Sequence, residues 1–165
     1  MSDEASRDSL LREIEILRQE GDSLALAHAL RNLGELQRSL PGSDGGIAAY
    51  EEAIAILREQ SAPLKLGHTI RHLGDIYRHA GDSDQAAVCY DEALSLYRNQ
   101  PDAPPLDLAN ALRSAALLKE KTGEAQHAIK LWEEAKGLYA AANVEQGAAE
   151  GARRLAVLNR ESKDE

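Results

Sequence analysis

Phenylalanine is absent from this chain, and aromatic residues make up only 4 % of its 165 positions. A core must therefore be built from Leu, Ala and Ile, residues compatible with helices. There is one cysteine, Cys89. An intramolecular disulfide and a zinc site of several cysteines are thereby excluded, and a reducing, cytoplasmic setting is expected. Positive charge is short: 19 Lys and Arg stand against 28 Asp and Glu, for a net charge of −9. That balance argues against nucleic acid or an anionic membrane as the general partner, because both require clustered positive charge. No apolar run approaches the roughly 20 residues that span a bilayer. Met1 to Asp8 lacks the basic-then-apolar layout of a secretory signal.

Catalytic signatures are missing too. There is no glycine-rich phosphate loop after a strand, no nucleophile elbow and no HExxH pattern. The acidic pairs Asp91-Glu92 and Glu133-Glu134 read as solvated helix surface. We expect no enzyme and no cofactor. His68 and His72, four residues apart, with His28 nearby, are the candidates for a metal site, but no carboxylate or cysteine completes the ligand set. No metal is expected.

What is present is helical periodicity. Pro and Gly cluster as punctuation at Pro41-Gly42, Gly45-Gly46, Pro101 and Pro104-Pro105. Between these breaks apolar residues recur at helical spacing. Residues 1–7 read as a frayed tail. A first helix carries Leu10, Leu11, Ile14 and Leu17 and ends at Gly21. Asp22 or Ser23 caps a second, with Leu26, Leu30, Leu33, Leu36 and Leu40, which the Pro41-Gly42-Ser43-Asp44 run closes. A third carries Ile47, Tyr50, Ile54 and Leu57. A fourth starts at Ala62-Pro63, carries Leu66, Ile70, Leu73 and Tyr77, and closes at Gly81. Asp82 with Gln85 resembles a capping box for a fifth, which holds Val88 or Cys89, Tyr90, Leu94 and Tyr97. A sixth runs from about Leu106 to Lys121, with Leu108, Leu112, Ala115 and either Leu118 or Lys119 inward. A seventh carries Ala128, Leu131 or Trp132, Ala135 and Tyr139. An eighth begins near Val144 and carries Ala148, Ala152, Leu155 and Leu158.

These helices repeat. Leu33-Gly34 and Leu73-Gly74 lie 40 residues apart, Ala115-Ala116 lies 42 further on, and Leu155-Ala156 another 40. Tyr50, Tyr90 and Trp132 keep that spacing, as do Ala53, Ala93 and Ala135. Ile16-Leu17-Arg18 lies 40 before Ile56-Leu57-Arg58, which brings the first helix into the series. The small residue of each first helix precedes the aromatic of its second helix by 16.

The pattern resembles the tetratricopeptide repeat. The middle unit reads Ile70-x2-Leu73-Gly74-x2-Tyr77, then Ala86-x3-Tyr90, then Ala93. The first reads Leu30-x2-Leu33-Gly34-x2-Gln37, then Gly46-x3-Tyr50, and the third Leu112-x2-Ala115-Ala116-x2-Lys119, then Ala128-x3-Trp132. The 40-to-42 period is similar to the long-repeat variety of kinesin light chains. The resemblance implies an all-α fold, a right-handed α-solenoid of antiparallel helix pairs. Its units are 22–60, 63–100 and 104–142, with flanking helices 8–20 and 144–160 and a polar tail 161–165. Gly34, Gly74, Ala116, Tyr50, Tyr90, Trp132 and Cys89 then belong to the core.

The resemblance also implies that the first helices of the units line a concave, peptide-binding groove. Arg31, Arg71, Arg113 and Arg153 would stand on it at spacings of 40, 42 and 40. Three residues before them stand His28, His68, Asn110 and Glu150, and one residue after stand Asn32, His72, Ser114 and Arg154. Four after stand Glu35, Asp75, Leu117 and Val157. Guanidinium groups suit carboxylates. The expected function is a protein–protein interaction scaffold or adaptor that binds an acidic or C-terminal carboxylate segment of another protein through His28, Arg31, Asn32, His68, Arg71, His72, Asn110, Arg113, Ser114, Leu117, Arg153 and Val157. The competing reading is a solvated face of good helix formers. Arg31 can pair with Glu35 and Arg71 with Asp75, so the C-terminal half, Arg113 and Arg153, is expected to be the freer anion site. Acidification below about pH 6.5 is expected to charge the histidines and strengthen anion binding. The alternative function is self-association, as a homodimer through the first helix, whose Leu10, Leu11, Ile14, Ile16 and Leu17 are apolar on more than one side.

Overall fold

A computed structural model describes residues 3–38 and 46–161. Among them are eight helices in chain order: α1 (Asp3–Glu20), α2 (Ser23–Arg38), α3 (Ile47–Glu59), α4 (Pro63–Ala80), α5 (Ser83–Arg98), α6 (Pro105–Lys121), α7 (Ala125–Ala141) and α8 (Glu145–Glu161). The expected stop at Pro41-Gly42-Ser43-Asp44, the inward Leu40 and the last four residues of the tail lie outside the described residues. Each helix packs on the next along the chain, and the first helices α4 and α6 also touch. The result is an all-α solenoid.

Turn chemistry fixes the helix ends. The Asp22 carboxylate accepts a hydrogen bond from the Ala25 amide at 3.0 Å, and Asp82 accepts one from the Gln85 amide at 3.1 Å. These satisfy amides that have no partner within a helix. Gly81 closes α4 at a φ of 89°, where a side chain would strain the backbone, and Asn143 takes the same left-handed conformation after α7. Pro63 and Pro105 each occupy a first turn. One expectation fails: residues 3–7 are helical rather than frayed. Glu4 complements the positive end of the helix dipole, and Ala5 and Arg7 are strong helix formers.

The core follows the repeat. Tyr50, Tyr90 and Trp132 are fully buried; the two tyrosines lie against the glycine 16 positions earlier, and Trp132 shares its part of the core with Ala116. A methyl built on Gly34 would lie 2.6 Å from the Tyr50 ring, and one on Gly74 would lie 2.7 Å from the Tyr90 ring. The glycines thus permit helix axes closer than any side chain allows. Where the sequence left two choices, Cys89, Leu118 and Trp132 are inward, while Val88 is exposed. Burial pushes the Cys89 thiol up to about 11, which keeps it protonated and unreactive at neutral pH. Tyr77 touches both halves of the core and joins them.

The second helices are laced on their outer side. Arg18 meets Glu52 at 2.7 Å, Arg58 meets Glu92 at 2.8 Å and Arg98 meets Glu134 at 2.7 Å. These ion pairs connect α1 to α3, α3 to α5 and α5 to α7. All six side chains are substantially exposed, so each pair contributes about 0–1 kcal/mol. The ladder sets register more than it supplies stability.

Candidate functional site

The first helices α2, α4, α6 and α8 carry every candidate groove residue. The four arginines differ in state. Arg71 is mostly buried and gives Nη1 to Asp75 Oδ2 at 3.0 Å. Arg113 is held by Glu150 of α8 through two hydrogen bonds, Nε at 2.6 Å and Nη2 at 2.9 Å. Arg31 and Arg153 form no ion pair or hydrogen bond with any described residue. The C-terminal half is therefore not the freer one as expected. Arg113 lacks an acidic residue four positions on but gains one from the next unit. The sequence carried a signal for this: Glu150 ends the series His28, His68, Asn110, Glu150 and is its one acidic member.

The expected Arg31–Glu35 pair does not form. Glu35 is taken by Arg38 and by the Tyr50 hydroxyl, which donates to it at 3.0 Å. Burial pushes the Glu35 carboxyl up, but those two hydrogen bonds, with the nearby charges of Arg38 and His72, hold it below the usual range. Asp75, buried, likewise accepts from the Tyr90 hydroxyl at 2.7 Å, and Arg78 donates Nε to that same oxygen at 3.2 Å. The hydroxyls of the core aromatics thus anchor acidic residues of the groove helices.

Between these anchors sits a histidine pair. His72 Nε2 accepts from Arg71 Nη2 at 2.8 Å and lies 3.2 Å from His68 Nε2. With Nε2 accepting from a guanidinium, the His72 proton belongs on Nδ1, which faces Glu35 at 4.0 Å. Protonating Nε2 would set a cation against Arg71 and His68. Burial first, then Arg71, therefore pushes His72 down to about 4, and the same two causes lower His68. For this pair, acidification near pH 6.5 does not add the charge that was expected. The engaged Nε2 also leaves His72 poorly placed as a metal ligand.

The remaining candidates divide by exposure. His28 and Asn32 bond each other on the surface at 3.3 Å. Asn110 accepts the Tyr139 hydroxyl at 2.7 Å. Ser114 is 3 % exposed and so lies in the packing rather than on the groove; its place next to Ala115 in the helix turns it inward. Leu117 is half-buried and Val157 is 52 % exposed. A residue that the sequence reading passed over is Lys65, an exposed cation whose ammonium has no partner among the described residues. With Leu24, Ala27, His28, Arg31, Leu57 and Thr69 it lines a cavity of about 90 Å³ between α2 and α4. A larger, open cleft of about 510 Å³ lies by the α6–α7 turn, but its Glu120 and Glu124 are already bound by Arg154 and Lys119.

No protein-family model and no curated protein matches the chain. Solved structures do. BtubC (BKLC) from P. vanneervenii superposes with a TM-score of 0.77 at 20 % identity, over 86 % of this chain and 58 % of its own. A Signal Transduction ATPase with Numerous Domains (STAND) protein with a tetratricopeptide repeat sensor, from Pyrococcus horikoshii, superposes with a TM-score of 0.79 at 19 % identity, over 90 % of this chain and 23 % of its own. The chain has the tetratricopeptide-repeat fold. It spans little more than half of the one neighbour and about a quarter of the other. At these identities the two neighbours establish architecture alone. No helix among the described residues is long and apolar enough to cross a membrane.

Proposed function

We infer that this tetratricopeptide-repeat chain is a protein–protein interaction module whose groove takes an extended, carboxylate-bearing segment of another protein. One observation carries the reading. Arg31 and Arg153 hold the same register on α2 and α8 and have no carboxylate partner among the described residues, whereas Arg71 and Arg113 do. In a protein of net charge −9, cations left free on a face otherwise neutralised pair by pair mark where an external anion is favoured. Lys65 adds a third free cation on the α2–α4 side. The partner's anionic groups are thus read at the two ends of the groove. Its middle, with His68, Arg71, His72 and Asp75 already bonded to one another, offers a rigid polar floor.

The test is selection of a random peptide display library on the wild-type chain, followed by binding of the selected peptides to Arg31→Glu and Arg153→Glu. Enrichment of Asp and Glu is expected, with affinity lost at least tenfold in either variant. Selected peptides of neutral composition, bound equally by all three proteins, would sink the reading.

A second reading is self-association. Leu11 is 41 % and Ile16 is 53 % exposed on α1, and both are apolar. Extension of the solenoid head to tail is opposed by the outer ladder: its next arginine position is Ala140 and its preceding glutamate position is Arg12. A copy stacked end to end would find no ion pair at that seam. Self-association would therefore be a side-by-side α1 contact, and sedimentation at rising concentration decides it. A Leu11→Glu/Ile16→Glu variant should then abolish any dimer.

A further inference from the structure

The three junctions between successive first helices share a register but differ in the residue that fills it. The second helices place Leu57, Tyr97 and Tyr139 in the same register, 40 and 42 apart. At the junction of α4 and α6, the Tyr97 ring fills the gap and its Cζ would lie 3.2 Å from a methyl on Gly67. At the junction of α6 and α8, the Tyr139 ring lies 2.6 Å from where a methyl on Gly147 would stand, and its hydroxyl donates to Asn110 at 2.7 Å. The register equivalents of those neighbours at the first junction are Ala27 for Gly67, His28 for Asn110 and Lys65 for Gly147. All three line the cavity of about 90 Å³, and Leu57 is among its walls. The cavity thus lies where tyrosine rings stand in the next two junctions; Leu57 is shorter than those tyrosines, while Ala27 and Lys65 carry the Cβ atoms that Gly67 and Gly147 lack and narrow the space.

We propose that this vacancy is a socket for a single aromatic ring, a Phe or Tyr side chain of the segment bound in the groove. The walls suit a ring: Leu24, Ala27 and Leu57 are apolar, and Thr69 spends its hydroxyl on the Lys65 carbonyl at 2.8 Å. The mouth is accessible, because Leu24 is 38 % exposed and His28 and Lys65 are exposed. Two of the free cations, Arg31 and Lys65, border it. An aromatic side chain beside a carboxylate would satisfy wall and rim together. The identity of the ring's carrier rests on the groove reading above, but the socket itself does not.

The experiment uses the free side-chain analogue, 4-methylphenol, and follows the methyl resonances of Leu24, Leu57 and Thr69. Saturable shifts at these three are expected. Leu57→Tyr should plug the socket from within, keep the helical signal and lose the shifts at Leu24 and Thr69. Should that variant unfold, Leu24→Asp on the exposed rim serves instead and should weaken binding at least tenfold. Shifts that grow linearly without saturation, or that persist unchanged in both variants, would overturn the proposal. The two readings fail separately. Loss of acidic-peptide binding to wild type with intact methylphenol binding removes the anionic groove, and the converse result removes the socket.

Discussion

Arg113 of α6 and Glu150 of α8 face each other across the last junction, joined by two hydrogen bonds at 2.6 and 2.9 Å. The bond to Glu150 raises the Arg113 guanidinium further above its ordinary value. Arg113 is 39 % and Glu150 21 % exposed at the side chain. Glu150 is thus an internal competitor for any anion that would reach Arg113. Glu150→Gln should free the guanidinium, at a stability cost of about 0–1 kcal/mol because the pair is partly solvated. Affinity for an acidic peptide selected on wild type is then expected to rise several-fold in fluorescence anisotropy. Unchanged affinity would mean that the bound segment does not pass α6.

His72 gives the chain an acid-sensitive centre. Its folded value, about 4, lies below the ordinary 6.5, so between these values the unfolded chain binds the proton more readily. The stability contributed by neutral His72 is complete above pH 6.5 and is lost as the pH falls toward 4. The groups facing it are Arg71 and His68, which oppose its charge, and Asp75 and Glu35, which favour it. The loss should be on the order of 2 kcal/mol. His72→Gln, whose amide oxygen can still accept from Arg71, should flatten the difference between urea denaturation curves at pH 7 and pH 5. Parallel pH dependence in the two proteins would assign the acid sensitivity elsewhere.

The fold was legible because its signals are local and repeated. Gly34, Gly74 and Ala116 against Tyr50, Tyr90 and Trp132 give spacing and packing together, and the structure places each as expected. The groove was legible only as a list of positions. Pairing across units depends on which register faces which, so Glu150 holding Arg113 escaped a reading that looked four residues along one helix. Burial depth escaped it too: Ser114 and the His68–His72 pair sit deeper than helical periodicity alone indicates. The socket needed both kinds of information. The Leu57, Tyr97, Tyr139 series is in the sequence, but its consequence is a cavity that only the structure displays.

The outer ladder is expected to matter little pair by pair. A double-mutant cycle on Arg58 and Glu92, read by chemical denaturation, should give a coupling of about 0.2–1 kcal/mol, shrinking further in high salt. A coupling well above that range would show that the ladder stabilises the stack rather than only setting its register.

Two glycines should respond oppositely to the same methyl group. Gly137 on α7 has open space where its Cβ would be, so Gly137→Ala should stabilise by about 0.5–1 kcal/mol through helix propensity alone. At Gly74 the added carbon would lie 2.7 Å from the Tyr90 ring and 2.9 Å from the Cys89 Cβ. Neither neighbour can move aside: the Cys89 Cβ is fixed by the α5 backbone, and the Tyr90 hydroxyl is tied to Asp75 at 2.7 Å. Overpacking of this kind costs about 1–3 kcal/mol. Set against the gain in helix propensity of up to about 1 kcal/mol, Gly74→Ala should still lower stability by about 1–2 kcal/mol. Thermal melts of the two variants should therefore move in opposite directions, Gly137→Ala upward and Gly74→Ala downward. A rise in both would show that α4 and α5 can separate, and that the small residue of each unit is not what fixes the distance between its helices.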